Sequence, residues 1–219
     1  MNAVIISDLH LGSRYSFVDQ FATFLDRLPV ATGLVLNGDI VCRLKSGKLP
    51  SRHEEILDRL REESLRRPVV WVWGNHDENF MPQDPGKIEF RLHHNIGRLL
   101  ITHGIHFDTV MPRHQAFILL FRFFHYTRMA LGAPSVHVAQ YAKKFRLLYR
   151  VLLDEVAENA AQFARQHGYE AVVCGHTHHV EERKIGGIRY FNTGAWTEMP
   201  LCYLEVRDSE WHLRQFTGS

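Results

Sequence analysis

The first apolar run of the chain leads directly into a polar motif, Ala3-Val4-Ile5-Ile6-Ser7-Asp8-Leu9-His10. A short apolar run predicts a buried strand, and the loop after it carries a carboxylate and an imidazole two residues apart. In α/β proteins, ligands bind at the carboxyl ends of the strands. The stretch therefore predicts an α/β fold with a polar site at a sheet edge, although Asp8 and His10 alone are equally consistent with a helix cap and a surface histidine.

Four further motifs follow apolar segments in the same way: Gly38-Asp39, Gly74-Asn75-His76-Asp77, His103-Gly104 and Gly175-His176-Thr177-His178. The short apolar segments before them predict strands, and apolar residues at helical spacing predict helices between the strands. The predicted strands lie at 3–7, 33–37, 69–73, 98–102, 171–174, 189–192, 201–206 and 212–216, and the predicted helices lie near 17–28, 56–65 and 151–168.

The side chains of these motifs are of the types that bind divalent metal ions. The Asp39 carboxylate can bridge two cations, and the Asn75 carboxamide oxygen is a neutral, hard ligand. His76, next to it, can act on a substrate instead of a metal. His176 and His178 alternate along an extended segment, so they face the same way. Each motif taken alone is also consistent with an ordinary turn or strand end, so it is their combination that predicts a metal site.

The composition is that of a globular protein, with 219 residues, 45% hydrophobic residues and a formal net charge of +2. No apolar run is long enough to span a bilayer, and the amino-terminal residues lack the basic region of a signal peptide. Cys42, Cys174 and Cys202 are odd in number and lack metal-ligand spacing, which favours reduced thiols. A cytoplasmic location is therefore expected.

Residues 110–150 differ from the rest of the chain in charge. They include seven Lys or Arg residues, eight aromatic residues and no Asp or Glu. Helical patterns on either side of Gly132-Ala133-Pro134 predict two helices, because proline ends or kinks a helix. We expect a helical, cap-like insertion over about 110–166 within a single domain of residues 1–219.

Taken together, the five motifs resemble the calcineurin-like metallophosphoesterase family. That family's pattern is Asp-x-His, Gly-Asp, Gly-Asn-His-Asp/Glu, a His and Gly-His-x-His in this order, and every element is present between Asp8 and His178. The resemblance implies an α/β fold with a two-sheet β-sandwich flanked by helices, and a site with two divalent ions. Ligation by carboxylates, a carboxamide and imidazoles without thiolate suits Mn²⁺ best, with Fe or Zn as alternatives.

The same resemblance implies a role for each motif residue. One ion would be held by Asp8, His10, Asp39 and His178, and the other by Asp39, Asn75, His103 and His176. Asp39 would then bridge the ions, and a hydroxide shared by them would attack phosphorus in line, hydrolysing a phosphate ester or diphosphate. His76 would act as an acid or stabiliser at the phosphate. Relatives often carry an acidic residue three positions after the bridging Asp to orient this histidine, but this chain has Cys42, which leaves the acid role open.

The insertion and one further motif bear on the substrate. The helical insertion and Asn192-Thr193-Gly194-Ala195-Trp196-Thr197-Glu198 resemble the UDP-2,3-diacylglucosamine hydrolase branch of the lipid A pathway. This implies a phosphorylated small-molecule or lipid-linked substrate, with apolar helix faces for acyl chains or for peripheral contact with a membrane. Members of that branch have Arg in place of His76 and Asp in place of Ile105. The candidate substrate-binding residues are Arg122, Arg128, Lys143 and Arg146.

Three alternatives remain open at this point. A phosphodiesterase or nuclease acting on nucleotides would use the same metals, although a net charge of +2 gives no general case for nucleic acid. A non-catalytic metal-binding scaffold is the second, and the complete ligand set disfavours it. In the third, the insertion is an ordinary helical pair with solvated cations and a core formed by Phe117, Phe121 and Phe124.

Overall fold

The structure is a computed structural model that describes residues 2–42, 48–113 and 115–218. Within these ranges it leaves out the side chains of residues 112–118, 120, 138 and 139. The described residues form two β-sheets that face each other, with helices packed on the outer face of each sheet. None of the helices in these ranges combines the length and the apolar character that crossing a membrane requires.

Strands and helices alternate along much of the chain. The strands are β1 (Ala3–Ile6), β2 (Gly33–Asn37), β3 (Val69–Val72), β4 (Glu89–Arg91), β5 (His94–Ile96), β6 (Leu99–Ile101), β7 (Ala171–Cys174), β8 (Val180–Ile185), β9 (Ile188–Thr193), β10 (Cys202–Arg207) and β11 (Glu210–Gln215). The helices are α1 (Val18–Arg27), α2 (Ser51–Arg66), α3 (Val110–Arg113), α4 (Gln115–Ala130), α5 (Val138–Ala142) and α6 (Arg146–Gln166).

The two sheets are both mixed. The first has the strand order β11-β10-β1-β2-β3-β4, in which β1 to β4 are parallel and β10 pairs antiparallel with β1. The second has the order β5-β6-β7-β9-β8, with β6, β7 and β9 parallel and antiparallel strands at both edges. Parallel neighbours need crossover connections. Helices α1 and α2 supply them between β1, β2 and β3, and α3 to α6 lie between β6 and β7. The carboxyl ends of β1, β2 and β3 therefore lie at one edge of the first sheet.

Alternation along β1 divides its side chains between two cores, because successive residues of a strand point to opposite faces. Val4 and Ile6 pack in the core that the first sheet shares with α1 and α2. Ala3 and Ile5 face the second sheet and pack in the core between the sheets, which also includes Val173. The strand reads as continuously apolar because both of its faces are buried.

A stripe of small residues brings α6 close to the second sheet. Ala157, Ala160, Ala161 and Ala164 are all buried in one core with residues of β6, β7 and β9. Because alanine has no side chain beyond Cβ, the helix axis can lie near the strands without leaving cavities. This packing positions the strand that ends in the last motif.

The two-sheet fold flanked by helices is confirmed, and so are strands in every predicted segment. The sequence patterns missed β4, β5 and β8, which are largely exposed or partly exposed. The predicted break near residues 132–134 is confirmed, since α4 ends at Ala130, but the helix predicted after the break is divided into α5 and α6. The alternative in which the insertion is an ordinary helical pair places Phe117, Phe121 and Phe124 in its core. Phe121 packs on Tyr141, but Phe124 is exposed. The side chain of Phe117 lies outside the described part. The single-domain organisation stays a prediction.

We predict that Ala160→Leu destabilises the protein because there is no space for a larger side chain between α6 and the sheet. The expected loss in the free energy of unfolding is about 1–3 kcal/mol, as for other overpacked cores. Urea denaturation followed by circular dichroism measures it. Gln162→Leu, at an exposed position of the same helix, is the matched control, and an equal effect of the two substitutions would contradict this packing.

Candidate metal centre

The five motifs meet where the ends of the two sheets adjoin. Backbone hydrogen bonds connect their loops: the Asp8 amide donates to the Gly38 carbonyl at 3.0 Å, and the His10 amide donates to the Asp39 carbonyl at 2.9 Å. Between the motifs of the second sheet, the Gly175 amide donates to the His103 carbonyl at 3.0 Å. Backbone pairing therefore joins the motifs of β1 and β2 at one sheet and those of β6 and β7 at the other.

The backbone of the site is strained at five candidate ligands. Their φ angles are positive, in the left-handed region that non-glycine residues rarely adopt: 55° at Asp8, 53° at His10, 54° at Asp39, 62° at His176 and 57° at His178. Each such residue costs on the order of 1–3 kcal/mol and persists only when the surrounding structure fixes it. The protein thus loses some stability because the backbone holds these side chains toward the same site.

Two glycines permit the close approach of the carboxylates. A Cβ atom at Gly74 would overlap the Asp39 side chain, and a Cβ atom at Gly175 would overlap the side chains of Asp8 and Ser7. Any larger residue would displace the carboxylates from the cluster. The glycine of one motif thus makes room for the carboxylate of another motif.

One group of candidate ligands consists of Asp8, His10 and His178, all of them buried. The Asp8 Oδ1 atom lies 3.1 Å from His178 Nε2 and 3.7 Å from His10 Nε2. The two Nε2 atoms lie 3.2 Å from each other. A carboxylate and two imidazoles that converge in this way are a suitable set of donors for a divalent ion.

A second group adjoins the first and consists of Asp8, Asp39 and His103. The Asp39 Oδ2 atom lies 3.3 Å from His103 Nε2 and 4.0 Å from both His10 Nε2 and His76 Nε2. Asp39 therefore lies between the two groups. His176 is next to the second group, with its ring centroid 5.6 Å from that of His103.

Four buried polar atoms of the site lack a hydrogen bond among the described residues: Asp8 Oδ1, Asn75 Oδ1, His103 Nε2 and His178 Nδ1. All four atoms are shielded from solvent. Buried polar atoms nearly always have a partner, so each of these atoms needs an explanation. A bound cation would provide it, and the donor set of the site fits divalent metal ions.

Three of the histidines are oriented through their second ring nitrogen. His103 Nδ1 lies 3.0 Å from the Asn37 carbonyl, and His10 Nδ1 lies 3.3 Å from Cys42 Sγ. His176 Nε2 lies 2.8 Å from Asp108 Oδ2. Such contacts fix the ring and leave the other nitrogen for a metal.

Sequence reasoning missed Asp108. It is buried and lies at the end of the 3-10 turn Ile105–Phe107, five residues after His103. No motif marks it, and its only signal is an acidic residue close to a motif histidine. Cys42 turns out to contact His10, although its ligand atom also lies within 4.8 Å of that of His76.

Asp77 connects two motif loops. Its carboxylate accepts hydrogen bonds from the backbone amides of Gly74 and Ile40, both at 2.7 Å, and from Trp71 Nε1 at 3.0 Å. These bonds hold the loop after β3 against the loop after β2. Asp77 thus has a structural role: its hydrogen bonds join the loop that carries Asp39 to the loop that carries Asn75.

The buried charges of the site perturb one another. Burial by itself favours neutral rings, but the adjacent carboxylates raise the pKa values of His10 and His103 to about 10. Burial also favours protonated carboxyls, yet the neighbouring histidines hold the pKa values of Asp8 and Asp39 below the ordinary value. Without metal, protons on the rings supply the positive charge that the carboxylates require.

The segment around α5 forms one side of the site. The ring of His137 lies 5.4 Å from that of His178 and 5.5 Å from that of His10, between ring centroids. Lys143 Nζ donates to the His178 carbonyl at 2.5 Å and contacts the Glu198 carboxylate at 2.6 Å. The sequence analysis missed His137, since nothing in its neighbourhood forms a motif.

The four candidate substrate-binding residues have different surroundings. Lys143 lies at the rim of the site, held by the contacts just described. Arg128 stacks on Tyr141, with its guanidinium carbon 4.3 Å from the ring centroid. Arg122 and Arg146 are exposed. Their role in binding a substrate stays a prediction.

A two-sheet sandwich whose strand ends carry this cluster of carboxylates and imidazoles defines a candidate metal-binding α/β protein. The family follows from a comparison with protein-family models. The model described as "Calcineurin-like phosphoesterase superfamily domain" matches residues 1–203. The chain therefore belongs to the calcineurin-like phosphoesterase superfamily. Membership of this family suggests that the chain is a metal-dependent phosphoesterase.

Solved structures with a similar fold include an archaeal phosphodiesterase. It is 13% identical, with a TM-score of 0.50, and the match covers 99% of this chain and 100% of that one. The phosphoesterase YfcE from E. coli is 18% identical, with a TM-score of 0.48 and coverage of 95% and 89%. Vps29 from Cryptosporidium parvum is 14% identical, with a TM-score of 0.49 and coverage of 98% and 96%. The likeness to the archaeal protein supports the fold alone. No curated protein sequence gives a significant match.

We predict that metal binding releases protons. Because the pKa values of His10 and His103 are about 10, both rings are protonated at neutral pH in the metal-free protein. A metal ligand must be a neutral imidazole, so binding of Mn²⁺ should release about two protons per chain and weaken as the pH falls. Calorimetric titrations in buffers of different ionisation enthalpy measure the released protons. A heat of binding that is the same in every buffer would contradict the prediction.

Proposed function

We propose that the chain is a dinuclear metal-dependent hydrolase of phosphate esters or diphosphates. The observation that carries this proposal is the position of Asp39 between two groups of ligands, close to His103 on one side and to His10 on the other. A carboxylate in this position is able to contact two cations at once. Family membership supports the reaction class.

In this proposal, Asp8, His10, Asp39 and His178 would hold one ion. Asp39, Asn75, His103 and His176 would hold the other. Oxygen and imidazole donors without thiolate make Mn²⁺ the best match. When bound, two such ions lower the pKa of a water molecule and neutralise charge on phosphate oxygens.

His76 acts in the proposal as a hydrogen-bond donor to the phosphate. Burial lowers the pKa of His76 to about 4, so its ring is neutral at neutral pH. A neutral imidazole donates through its N–H but is a poor general acid under those conditions. The His76 amide donates to Asp39 Oδ1 at 2.8 Å, which fixes the residue beside the proposed bridge.

The finer proposal concerns the substrate, which we infer to be a diphosphate of the UDP-2,3-diacylglucosamine type. The motif at residues 192–198 supports it through its position: Asn192 Nδ2 donates to the Gly175 carbonyl at 2.7 Å, and Glu198 contacts Lys143. The motif thus joins the last ligand loop to the basic helical segment. Cations suit a diphosphate, and exposed apolar residues suit acyl chains.

A cytoplasmic location is part of the same proposal. Cys42, Cys174 and Cys202 are all free thiols. Unpaired cysteines are typical of a reducing compartment, where structural disulfides are rare. Detection of the tagged protein in a fractionated cell extract tests the location.

The test of the reaction class compares matched Asp→Asn variants. With Mn²⁺ and bis(p-nitrophenyl) phosphate, we expect Asp39→Asn to lower kcat/KM by more than about a hundredfold, because changing residues that merely orient a ligand typically costs ten- to a hundredfold. Asp108→Asn should fall within that smaller range, since the Asp108 carboxylate contacts His176 and the Met111 amide and is not itself one of the proposed ligands. Asp58→Asn, at an exposed position of α2, is the control.

The outcomes of this comparison are distinct. A graded loss, with Asp58→Asn unchanged, supports the proposed site. If wild-type protein loaded with Mn²⁺ shows no hydrolysis of any phosphate ester or diphosphate, or if Asp39→Asn retains full activity, the proposal is wrong.

The substrate is tested with a panel at equal metal concentration. The finer proposal predicts a higher kcat/KM for UDP-2,3-diacylglucosamine than for a cyclic dinucleotide, a short single-stranded oligonucleotide or the generic diester. A preference for the cyclic dinucleotide or the oligonucleotide would contradict the UDP-2,3-diacylglucosamine proposal and support the phosphodiesterase or nuclease alternative. The proposed reaction class would still hold.

A further inference from the structure

Cys42 lies beside two imidazoles at the edge of the metal centre. Its Sγ atom lies 3.3 Å from His10 Nδ1. Together with one nitrogen of His10 and one of His76, Sγ forms a group of donor atoms that all lie within 4.8 Å of one another. The rings of His10 and His76 are 4.9 Å apart between centroids and nearly perpendicular. Because one of its donors is a thiol, this group differs in chemistry from the proposed ligands of the two ions.

The backbone holds Cys42 against the loop that carries His10. The Leu11 amide donates to the Ile40 carbonyl at 2.7 Å, and the Cys42 amide donates to the Leu11 carbonyl at 2.8 Å. These bonds continue the parallel pairing of β1 and β2 beyond the ends of both strands. The donors come from the loops after β1, β2 and β3, so no sequence spacing marks the group. The fold itself keeps them near one another, as a binding site requires.

The distances in this group suit a thiophilic ion. A tetrahedral Zn²⁺ binds sulfur at about 2.3 Å and nitrogen at about 2.0–2.1 Å, which places a sulfur and a nitrogen donor about 3.6 Å apart. The observed 3.3 Å between Cys42 Sγ and His10 Nδ1 is close to this separation. A thiolate with two imidazoles favours Zn²⁺ over a hard ion such as Mn²⁺.

The group is open to solvent on one side. Cys42 is partly exposed, and so is His76, with 39% of its side chain accessible. An ion can therefore enter, and water can complete its coordination. Cys174 and Cys202 are buried. Among the described residues, which include all three cysteines of the chain, Cys42 is thus the thiol that an ion from solvent can reach.

We propose that Cys42, His10 and His76 form a separate site for a thiophilic ion such as Zn²⁺, and that this ion inhibits the metal centre. His10 belongs to both sites. Its Nδ1 atom faces Cys42, whereas its Nε2 atom faces Asp8 and His178, at 3.7 and 3.2 Å. Ions on both nitrogens would place two divalent charges on opposite sides of one ring, so the ions repel and compete for His10.

The same ion would also hold His76 away from a phosphate. Binding of the ion does not depend on the proposed hydrolase activity, but inhibition rests on it. The two parts of the proposal therefore need separate measurements.

Binding is tested by titrating the metal-free protein with Cd²⁺, a thiophilic probe whose bond to a thiolate gives an ultraviolet charge-transfer band. We expect this band in the wild type and its loss in Cys42→Ser, which removes the sulfur but keeps a polar group beside His10. His76→Ala should weaken Cd²⁺ binding at least about tenfold, because loss of even an orienting partner costs ten- to a hundredfold. Asp8→Asn should tighten it, since the competing ion is then bound less firmly.

The matched control is Cys202→Ala, which removes a buried thiol outside the site. It should keep the wild-type band, and circular dichroism should show that all variants fold. The proposal is overturned if the wild type shows no band, or if Cys202→Ala loses the band as Cys42→Ser does. It is also overturned if His76→Ala binds Cd²⁺ as tightly as the wild type, in which case Cys42 merely orients His10.

Inhibition is measured by adding Zn²⁺ to Mn²⁺-loaded protein that hydrolyses bis(p-nitrophenyl) phosphate. Cys42→Ser should need at least about ten times more Zn²⁺ than the wild type for the same fractional inhibition, because it lacks the thiolate. Equal inhibition of the two proteins would overturn the regulatory part. If the wild type hydrolyses nothing, the proposed function fails, whereas the Cd²⁺ band still decides whether the site exists.

Discussion

The buried carboxylates of Asp8 and Asp39 impose the constraint to which the rest of the site responds. Both are almost fully buried, and a buried carboxylate is costly unless positive charge compensates it. Four histidines surround the pair, and their nitrogens lie within 3.1 to 4.0 Å of carboxylate oxygens. Positive φ angles, and glycines that lack a side chain, allow these polar groups to lie so close together. A pair of divalent ions would neutralise the negative charge of the two carboxylates more fully than protons on the histidine rings.

The two sheets bring this cluster together, and the helical segment that follows His103 lies next to it. The first sheet contributes the loops with Asp8, Asp39 and Asn75, and the second contributes those with His103 and His176. The helical segment that follows His103 then returns over the site, so that His137 and Lys143 contact the ligand loops from outside. The candidate metal ligands and the residues of the helical segment thus come from different parts of the chain, so that either set can vary without the other.

The sequence predicted the strand ends and their polar residues because short apolar runs followed by motifs have few alternatives in a buried sheet. It did not predict β4 or β5, because three-residue edge strands with exposed positions carry no apolar pattern. It also missed Asp108 and His137, whose roles arise from tertiary contacts with His176 and His178 and leave no local signal. The contact of Cys42 with His10 likewise depends on how two loops pack.

The most direct measurement of the central claim is a titration of the metal-free protein with Mn²⁺, followed by electron paramagnetic resonance. A carboxylate shared by two ions couples their spins, so the account predicts two Mn²⁺ per chain with an exchange-coupled signal, and loss of that coupling in Asp39→Ala. Binding of a single uncoupled ion, or of none, would contradict a dinuclear centre built around Asp39.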